Sequence, residues 1–475
     1  MNAVPEITPF LGSESLTAGA SFELVRPEDG KPVARILEAG PEGVEAAVRV
    51  AASAFRSHRK STVLQRIEWL KKATAILTAE AEGVAQIICE DVGKPIRSCR
   101  FEVRRGVEFL EACAAALPFL NGEVLPLDAA GPGAGHYGFT RHVPYGIVAG
   151  ITPFNAPVNL LLQKVGPAVA AGNAIIVKPA PAGTRTAVEL ARMFQRAGWP
   201  EGLFTVLTGD RVTASALAAH PEVRAVSFTG STSGGEALAR AAGAKKFVAE
   251  LGSNAANIVL ADADLDDASK RIAAAAFEAS GQQCISAQRI LVERSVADSF
   301  LPRFAASAQA LKTGKAGDPA TDLGPMVSRA AADRAISMCK DAIARGAAYV
   351  LEPRQDGALV TPGILRDVPF DARLWREEVF APIALVTPFD HVDEALRLAN
   401  DSPFGLQGSV FTRNLQAVFQ FAEDFDVGAL WVNEASRFRL DLYPFGGVKT
   451  SGFGREGVCY AIKEFSQVKF IGIRP

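Results

Sequence analysis

The chain has 475 residues, with 50 lysines and arginines against 52 aspartates and glutamates, for a formal net charge of −2. At 48% hydrophobic and 21% charged residues it reads as a folded protein of two or three domains, not a disordered one. The charge balance leaves no footprint for nucleic acid or an acidic membrane, and no apolar run reaches bilayer length. The opening "MNAVPEITPF" shows neither the basic region nor the apolar core of a secretory signal. Six cysteines (Cys89, Cys99, Cys113, Cys284, Cys339, Cys459) form no C-x-x-C pair and no zinc-like spacing. Reduced thiols in a cytoplasm are expected, with no metal site.

In chain order, a short strand-like opening precedes apolar residues at helical spacing in "VEAAVRVAASAF" (44–55) and in "VLQRIEWLKKATAIL" from Val63. A third helix, "RFEVRRGVEFLEACAAALPFL", follows the break at Gly93 and Pro95. From Tyr145 the pattern alternates. "YGIVAGI" is a buried-strand run, "VNLLLQKVGPAVAAG" a helix, "NAIIVKP" a strand and "RTAVELARMFQRAG" a helix. "GLFTVLTG" is extended, "VTASALAAH" helical and "VRAVSFTGS" extended again. Such alternation predicts an α/β fold with doubly wound parallel sheets, whose ligands sit beyond the carboxyl ends of the strands. A second alternating block runs from "AANIVLADADL" to about Phe411. "NGEVLPLDAAGPGAGHYGFTRHVPYG" and the tail "AIKEFSQVKFIGIRP" both read as extended, the tail as an edge strand.

Three residues carry a coherent chemistry. Cys284 lies in "FEASGQQCISAQR", Glu250 in "FVAELGSN" and Asn155 in "TPFNAP". A thiolate attacks a carbonyl, an amide donor holds the oxyanion, and a carboxylate activates the water that releases product. Each also has a plainer reading: a small buried cysteine, a surface carboxylate, and an asparagine cap with Pro157 in the first helical turn. Lys178 ends the strand "IIVKP", where a ribose or phosphate would sit. In "SFTGSTSGGEALAR", Gly230, Ser231, Thr232, Gly234 and Gly235 lead from a strand into a helix, so that free N–H groups would face a pyrophosphate. The same residues also make an ordinary capped turn. Two G-x-G-x-x-G matches read as loops. Gly133, Gly135 and Gly138 follow no strand and open no helix; Gly452, Gly454 and Gly457 lie too near the C-terminus to begin a βαβ unit.

Together these stretches resemble the aldehyde dehydrogenase superfamily over almost the whole chain. The matching segments run from "DGKPVARI" and "DVGKP" through "PYGIVAGITPFNAP", "GNAIIVKPA", "SFTGSTSGG", "VAELGSNAANIVLADAD" and "GQQCISAQRILV" to "EEVFAPI", "NDSPFGLQGSVFT" and "PFGGVKTSGFGREG". The resemblance implies two Rossmann-like parallel-sheet domains and a β-strand arm that pairs with a neighbouring subunit of a homodimer or homotetramer. Residues 1–122 and 142–251 would form the NAD(P)-binding domain, 252–452 the catalytic domain, and 123–141 with 453–475 the arm. It implies Cys284 as nucleophile, Asn155 as oxyanion donor, Glu250 as general base and Lys178 as the ribose contact. Glu378 and Phe380 would meet the nicotinamide ribose, and Gly230, Ser231 and Gly235 the pyrophosphate. Ile151, Thr152, Pro153, Phe154, Leu251 and Gly252 would complete the cofactor cleft, and Arg104, Gln283, Phe438 and Arg439 would face the substrate.

Two departures bear on specificity. Many members carry a glutamate three residues after the lysine, where it repels a 2′-phosphate; here Pro181 stands there, which implies NAD or NADP as cofactor. The stretch "NEASRFRLDLY" carries an FRxD pattern similar to the branch acting on small hydroxy- or acid-bearing aldehydes, such as lactaldehyde or phosphonoacetaldehyde. Arg439 could equally pair with Asp441 and brace the loop. The implied reaction is oxidation of an aldehyde to a carboxylate through a cysteine thiohemiacetal and thioester. The alternatives are a CoA-acylating dehydrogenase, which usually lacks the glutamate, and a binding protein that kept the fold without the chemistry.

Overall fold

The computed structural model describes residues 4–14, 16 and 19–475. Its centre is two twisted, mainly parallel sheets. The first has six strands in the order Gly452–Phe453, Lys246–Glu250, Val223–Thr229, Ile147–Thr152, Ala174–Pro179 and Phe204–Val206, all parallel except the first. The second has seven, from Ala348–Leu351 through Gly363–Arg366, Ile383–Phe389, Arg289–Glu293, Ala256–Val259 and Gln407–Phe411 to Ala429–Val432. Only its Ala348–Leu351 edge runs antiparallel. Every residue of "IVAGIT" and "AIIVKP" is buried, because helices cover both faces of the sheet. In the six-stranded sheet the strand order reverses between Ile147–Thr152 and Val223–Thr229, so the crevice at their carboxyl ends is the natural ligand site.

The alternation read from the sequence maps onto these strands, with three differences. Helix Ala81–Val92 lies between two expected helices and is set off from Val63–Ala79 by Glu80 at φ −105°, ψ 14°. The second sheet gains Ala429–Val432, beyond the expected limit at Phe411. The tail is extended only over Ser466–Ile473, because "AIKE" belongs to the helix Val458–Glu464. Gly133 ends a short 3₁₀ turn, Gly135 (φ 77°) lies in the turn that follows, and Gly138 lies in the strand Tyr137–Pro144, with no helix opened by any of them. Local chemistry sets several boundaries. Thr62 and Gln65 form a reciprocal capping box at the start of Val63–Ala79, for example.

Ser466–Ile473 pairs antiparallel with Tyr137–Pro144, from Ser466 opposite Pro144 to Ile473 opposite Tyr137, and Val124–Leu125 adds a third strand. This small sheet leaves Val124, Tyr137, Val468, Phe470 and Ile473 exposed. Among the described residues no helix is long and apolar enough to cross a membrane.

Candidate active site

Asn155 and Glu250 stand where strands of the six-stranded sheet end. Asn155 lies three residues past Ile147–Thr152, before the helix Asn159–Ala170, and Glu250 is the last residue of Lys246–Glu250. Cys284 is carried by a different device. Helix Leu265–Phe277 stops, and Ala279 (φ 51°), Ser280 (φ 56°) and Gly281 (φ 64°) take left-handed conformations that turn the chain sharply. Two non-glycine residues in that region store strain, which the surroundings hold in place. Ser280 Oγ donates to the Gly324 carbonyl at 2.7 Å, and Gln282 Oε1 accepts from Val327 N–H at 3.0 Å. Cys284 then packs against the apolar cluster of Ile285, Leu406 and Phe445.

The electrostatics at these residues are unusual. Burial pushes the Cys284 thiol up to about 12; Glu378, Glu250 and Glu456 add to this, and Arg439 opposes it. Glu250 is 2% exposed, and both its carboxylate oxygens are buried without a hydrogen-bond partner among the described residues. Burial, then the nearby Glu456 charge, raises its carboxyl well above the ordinary range, against the pull of Arg439, Lys164 and Arg455. Glu456 behaves in the opposite sense. Burial works against its charge, yet Lys164 and Arg439 hold the carboxyl below the usual range. Lys164 Nζ donates to Ser227 Oγ (2.9 Å) and Thr229 Oγ1 (2.7 Å) and lies 3.4 Å from Glu456 Oε1. Two carboxylates driven apart in this way give one proton acceptor and one fixed anion. No hydrogen bond among the described residues engages the Asn155 side-chain amide, although the Asn155 backbone carbonyl accepts from Lys94 Nζ at 3.2 Å.

The remaining features fit a dinucleotide. Lys178 is 6% exposed and has no ion pair or hydrogen bond among the described residues; burial lowers its ammonium to about 8, with Asp210 and Glu38 opposing. A buried ammonium without a partner suits ligand hydroxyls or phosphate. Ser231 caps the helix Thr232–Ala242, accepting from Gly234 N–H at 3.2 Å, and the helix start faces the strand ends. Gly235 lets Leu251 pack close to the turn, since a Cβ there would lie 2.4 Å from Leu251 Cδ2. Thr152 O accepts from Ala180 N–H at 2.8 Å, and the Pro153 carbonyl lies beside Gly183. Ile151 and Leu251 are both buried in the same apolar core cluster. Glu378 Oε1 accepts from Ser253 N–H at 3.0 Å, and a Cβ on Gly252 would lie 3.1 Å from Glu378 Oε2. Burial raises the Glu378 carboxyl to about 7, with the Ser253 N–H and Arg334 opposing. Phe380 (φ 54°) meets Phe154 edge-on at 5.9 Å, joining the Glu378 loop to the Asn155 loop.

A model of the aldehyde dehydrogenase family matches residues 15–471. The chain belongs to that family. A 3-sulfolactaldehyde dehydrogenase of Priestia aryabhattai is 38% identical over 463 residues, 97% of each chain. Aldehyde dehydrogenase 21 from Physcomitrella patens, solved in complex with the reaction product succinate, superposes with a TM-score of 0.95 at 31% identity, covering 99% of each chain. A glyceraldehyde-3-phosphate dehydrogenase of Methanocaldococcus jannaschii, solved with NADP, gives 0.93 at 34% identity over 97% of this chain and 100% of the other.

In this aldehyde dehydrogenase the residues expected at the substrate mouth fall into two groups. Arg439 is deep: its side chain is 8% exposed, and its guanidinium carbon lies 3.6 Å from the centre of the Phe445 ring that Cys284 also neighbours. Its Nη2 donates to Glu456 Oε2 (2.9 Å) and Gln163 Oε1 (3.0 Å), and Nε lies 3.7 Å from Asp441 Oδ1. Brace and charge therefore coincide in one residue. Gln283 accepts from Arg437 Nε at 2.8 Å, and Arg437 also pairs with Glu278. Arg104 and Phe438 are placed differently. Arg104 is 64% exposed and 4.0 Å from Glu108, and Phe438 is exposed and packs edge-on against Trp431 at 4.9 Å. The arginine of that helix which reaches the loop is Arg105, 2.7 Å from Asp441 Oδ2.

Sequence reading did not single out Lys164, Glu456 or Arg105. Lys164 left a signal: it is the one charge in the apolar helix "NLLLQKVGPAVA", every residue of which is buried. Arg105 left none, because adjacent arginines on a helix differ only in which side of it they occupy.

Proposed function

We propose that the chain oxidises a small, anion-bearing or hydroxylated aldehyde to its carboxylate with NAD or NADP, using Cys284 as nucleophile and Glu250 as the base that activates water. The observation that carries this reading is the Glu250 carboxylate, buried with both oxygens unpartnered among the described residues and its basicity raised. A stability role would leave it paired. Cys284 gives its thiol proton to water as Sγ adds to the carbonyl carbon, and the oxyanion is held by the Asn155 side-chain amide and the Cys284 N–H. A dinucleotide held by Lys178, Ser231, Gly235 and Glu378 would supply the hydride acceptor that converts the thiohemiacetal on Cys284 to a thioester. Glu250 then takes a proton from water, which attacks the thioester and releases Cys284 with the acid. A retained glutamate favours water over a thiol as the acyl acceptor. Reduction of NAD or NADP by the purified protein with a panel of small aldehydes tests the reading; no reduction with any of them would end it.

Residues 1–122 and 142–251 would hold the cofactor, with Lys178, Gly230, Ser231, Gly235, Glu378 and Phe380 lining its site, and 252–452 would supply the nucleophile. The exposed apolar side chains on the three-stranded sheet support its use as the arm of a homodimer or homotetramer. Six free cysteines suit a reducing cytoplasm.

Pro181 is exposed and carries no charge where a glutamate would repel a 2′-phosphate. NADP is therefore expected to support turnover with kcat/KM within about a hundredfold of NAD, the span of one charge-assisted contact. Complete rejection of NADP would assign exclusion to Glu38 or Asp210, the carboxylates whose charges reach Lys178.

Arg439 sets the expected preference for an anionic aldehyde. A guanidinium contact to a distal anion contributes about 1.5–3 kcal/mol, or roughly tenfold to a hundredfold. Arg439→Ala should lose that factor on succinic semialdehyde beyond whatever it loses on butanal. Equal losses on both substrates would leave Arg439 as a loop brace alone.

A further inference from the structure

Behind the Asn155 loop lies a buried ion pair. Lys94 Nζ is 2.6 Å from Glu102 Oε2, and the two side chains are 7% and 3% exposed. Lys94 Nζ also donates to the Asn155 carbonyl at 3.2 Å. The other carboxylate oxygen, Glu102 Oε1, accepts from Val158 N–H at 2.8 Å and Asn159 N–H at 3.2 Å. Those two N–H groups begin the helix Asn159–Ala170. One ion pair thus grips the loop from residue 155 to residue 159 at both ends.

A buried pair is a poor way to gain stability, because desolvating two charges offsets most of their attraction. It is a good way to fix geometry when the hydrogen bonds it makes outside the pair go to one segment, as they do here. The mounting of Lys94 adds to this. Gly93 closes the helix Ala81–Val92 at φ +76°, and a Cβ there would lie 2.8 Å from Pro325 Cγ. A Cβ on Gly324 would lie 2.2 Å from the Gly93 carbonyl, so the two backbones touch. The Gly324 carbonyl is also the acceptor for Ser280 Oγ, in the left-handed turn that presents Cys284. The segment at Gly324 therefore braces both the lysine behind Asn155 and the turn before the nucleophile.

We infer that Lys94 and Glu102 are positioning residues that fix the Asn155 side-chain amide against the site of oxyanion formation. The inference rests on the reading of Asn155 as oxyanion donor. Neither side chain touches the reacting atoms; the pair acts through the loop.

The test is a double-mutant cycle between Asn155→Ala and the neutral pair Lys94→Met/Glu102→Gln, in which the glutamine keeps an acceptor for the Val158 N–H. The readouts are the single-turnover rate of NADH formation from succinic semialdehyde, the NAD dissociation constant and the melting temperature. Asn155→Ala should slow the single turnover about 10²–10³-fold, as loss of an oxyanion donor does. The pair variant should slow it about tenfold to a hundredfold, as loss of alignment does, with NAD affinity within about twofold of wild type. In the Asn155→Ala background the pair variant should add less than about threefold, because the amide it positions is gone. Equal losses in both backgrounds, or none in the wild type, would overturn the positioning role while leaving the oxyanion reading intact. No loss in Asn155→Ala alone would overturn both. If the neutral pair does not fold, Lys94→Arg, which keeps the ion pair and displaces the donor from the Asn155 carbonyl, enters the same cycle with the same deciding outcomes.

Discussion

Cys284→Ala should keep its fold and its NAD affinity while aldehyde oxidation falls by more than about 10³-fold, the scale on which removing a nucleophile acts. The side chain packs against a small cluster, Ile285, Leu406 and Phe445, and makes no hydrogen bond that the turn depends on. Truncation to alanine therefore removes the sulfur and little else. The left-handed turn at Ala279 to Gly281 stays anchored through Ser280 and Gln282, neither of which is altered. NAD titration and thermal melting check the first half of the expectation, and steady-state NADH formation checks the second. Turnover within tenfold (one decade, about 1.4 kcal/mol) of wild type would end the covalent reading.

The second large effect belongs to Glu250. Glu250→Gln should release about one equivalent of NADH per site at a rate near the wild-type burst, then turn over about 10²-fold or more slowly, because thioester hydrolysis has lost its base. Glutamine is nearly isosteric, and the carboxylate it replaces has no hydrogen-bond partner among the described residues, so no protein donor loses its acceptor. The pH dependence follows from the direction of the shift. A carboxyl raised by burial and by Glu456 is a base only above its elevated pKa, so hydrolysis in the wild type should weaken as pH falls through that value. An unperturbed glutamate would stay active to lower pH. In Glu250→Gln that limb of the profile should vanish. Rapid-mix measurement of the burst and of the following steady state across pH separates the two steps. Wild-type turnover in the variant would mean that another group activates water.

Much of the fold was legible in the chain. Buried runs such as "IVAGIT" and "AIIVKP", separated by helical spacing, specify a parallel sheet covered on both faces, since a half-exposed sheet would alternate. The turn from Ser231 to Gly235 was legible for the same local reason: a cap and a glycine set a helix start wherever they occur. Asn155, Glu250, Lys178 and Cys284 stood near strand ends or a helix stop, but residue type left each with a plainer reading, and only the resemblance over the whole chain implied their roles. Local signals failed where two elements shared one apolar pattern or one extended pattern. The chain between Val63 and Val92 holds two helices parted by Glu80, and "AIKE" folds as a helix before the final strand.

What only the tertiary structure decided is the electrical state of the site. Glu250 is raised by burial and by the Glu456 charge, whereas Lys164 and Arg439, from distant parts of the chain, hold Glu456 down as a fixed anion. Arg105 and not Arg104 meets Asp441 because helix rotation, set by packing, chose between neighbours. Lys94 reaches the Asn155 backbone carbonyl across 61 residues of sequence, and Glu102 reaches Val158 and Asn159 across 56 and 57, contacts that no window along the chain contains. Composition and periodicity act within a few residues; charge interactions depend on distance through space and on exclusion of water, and folding alone fixes both.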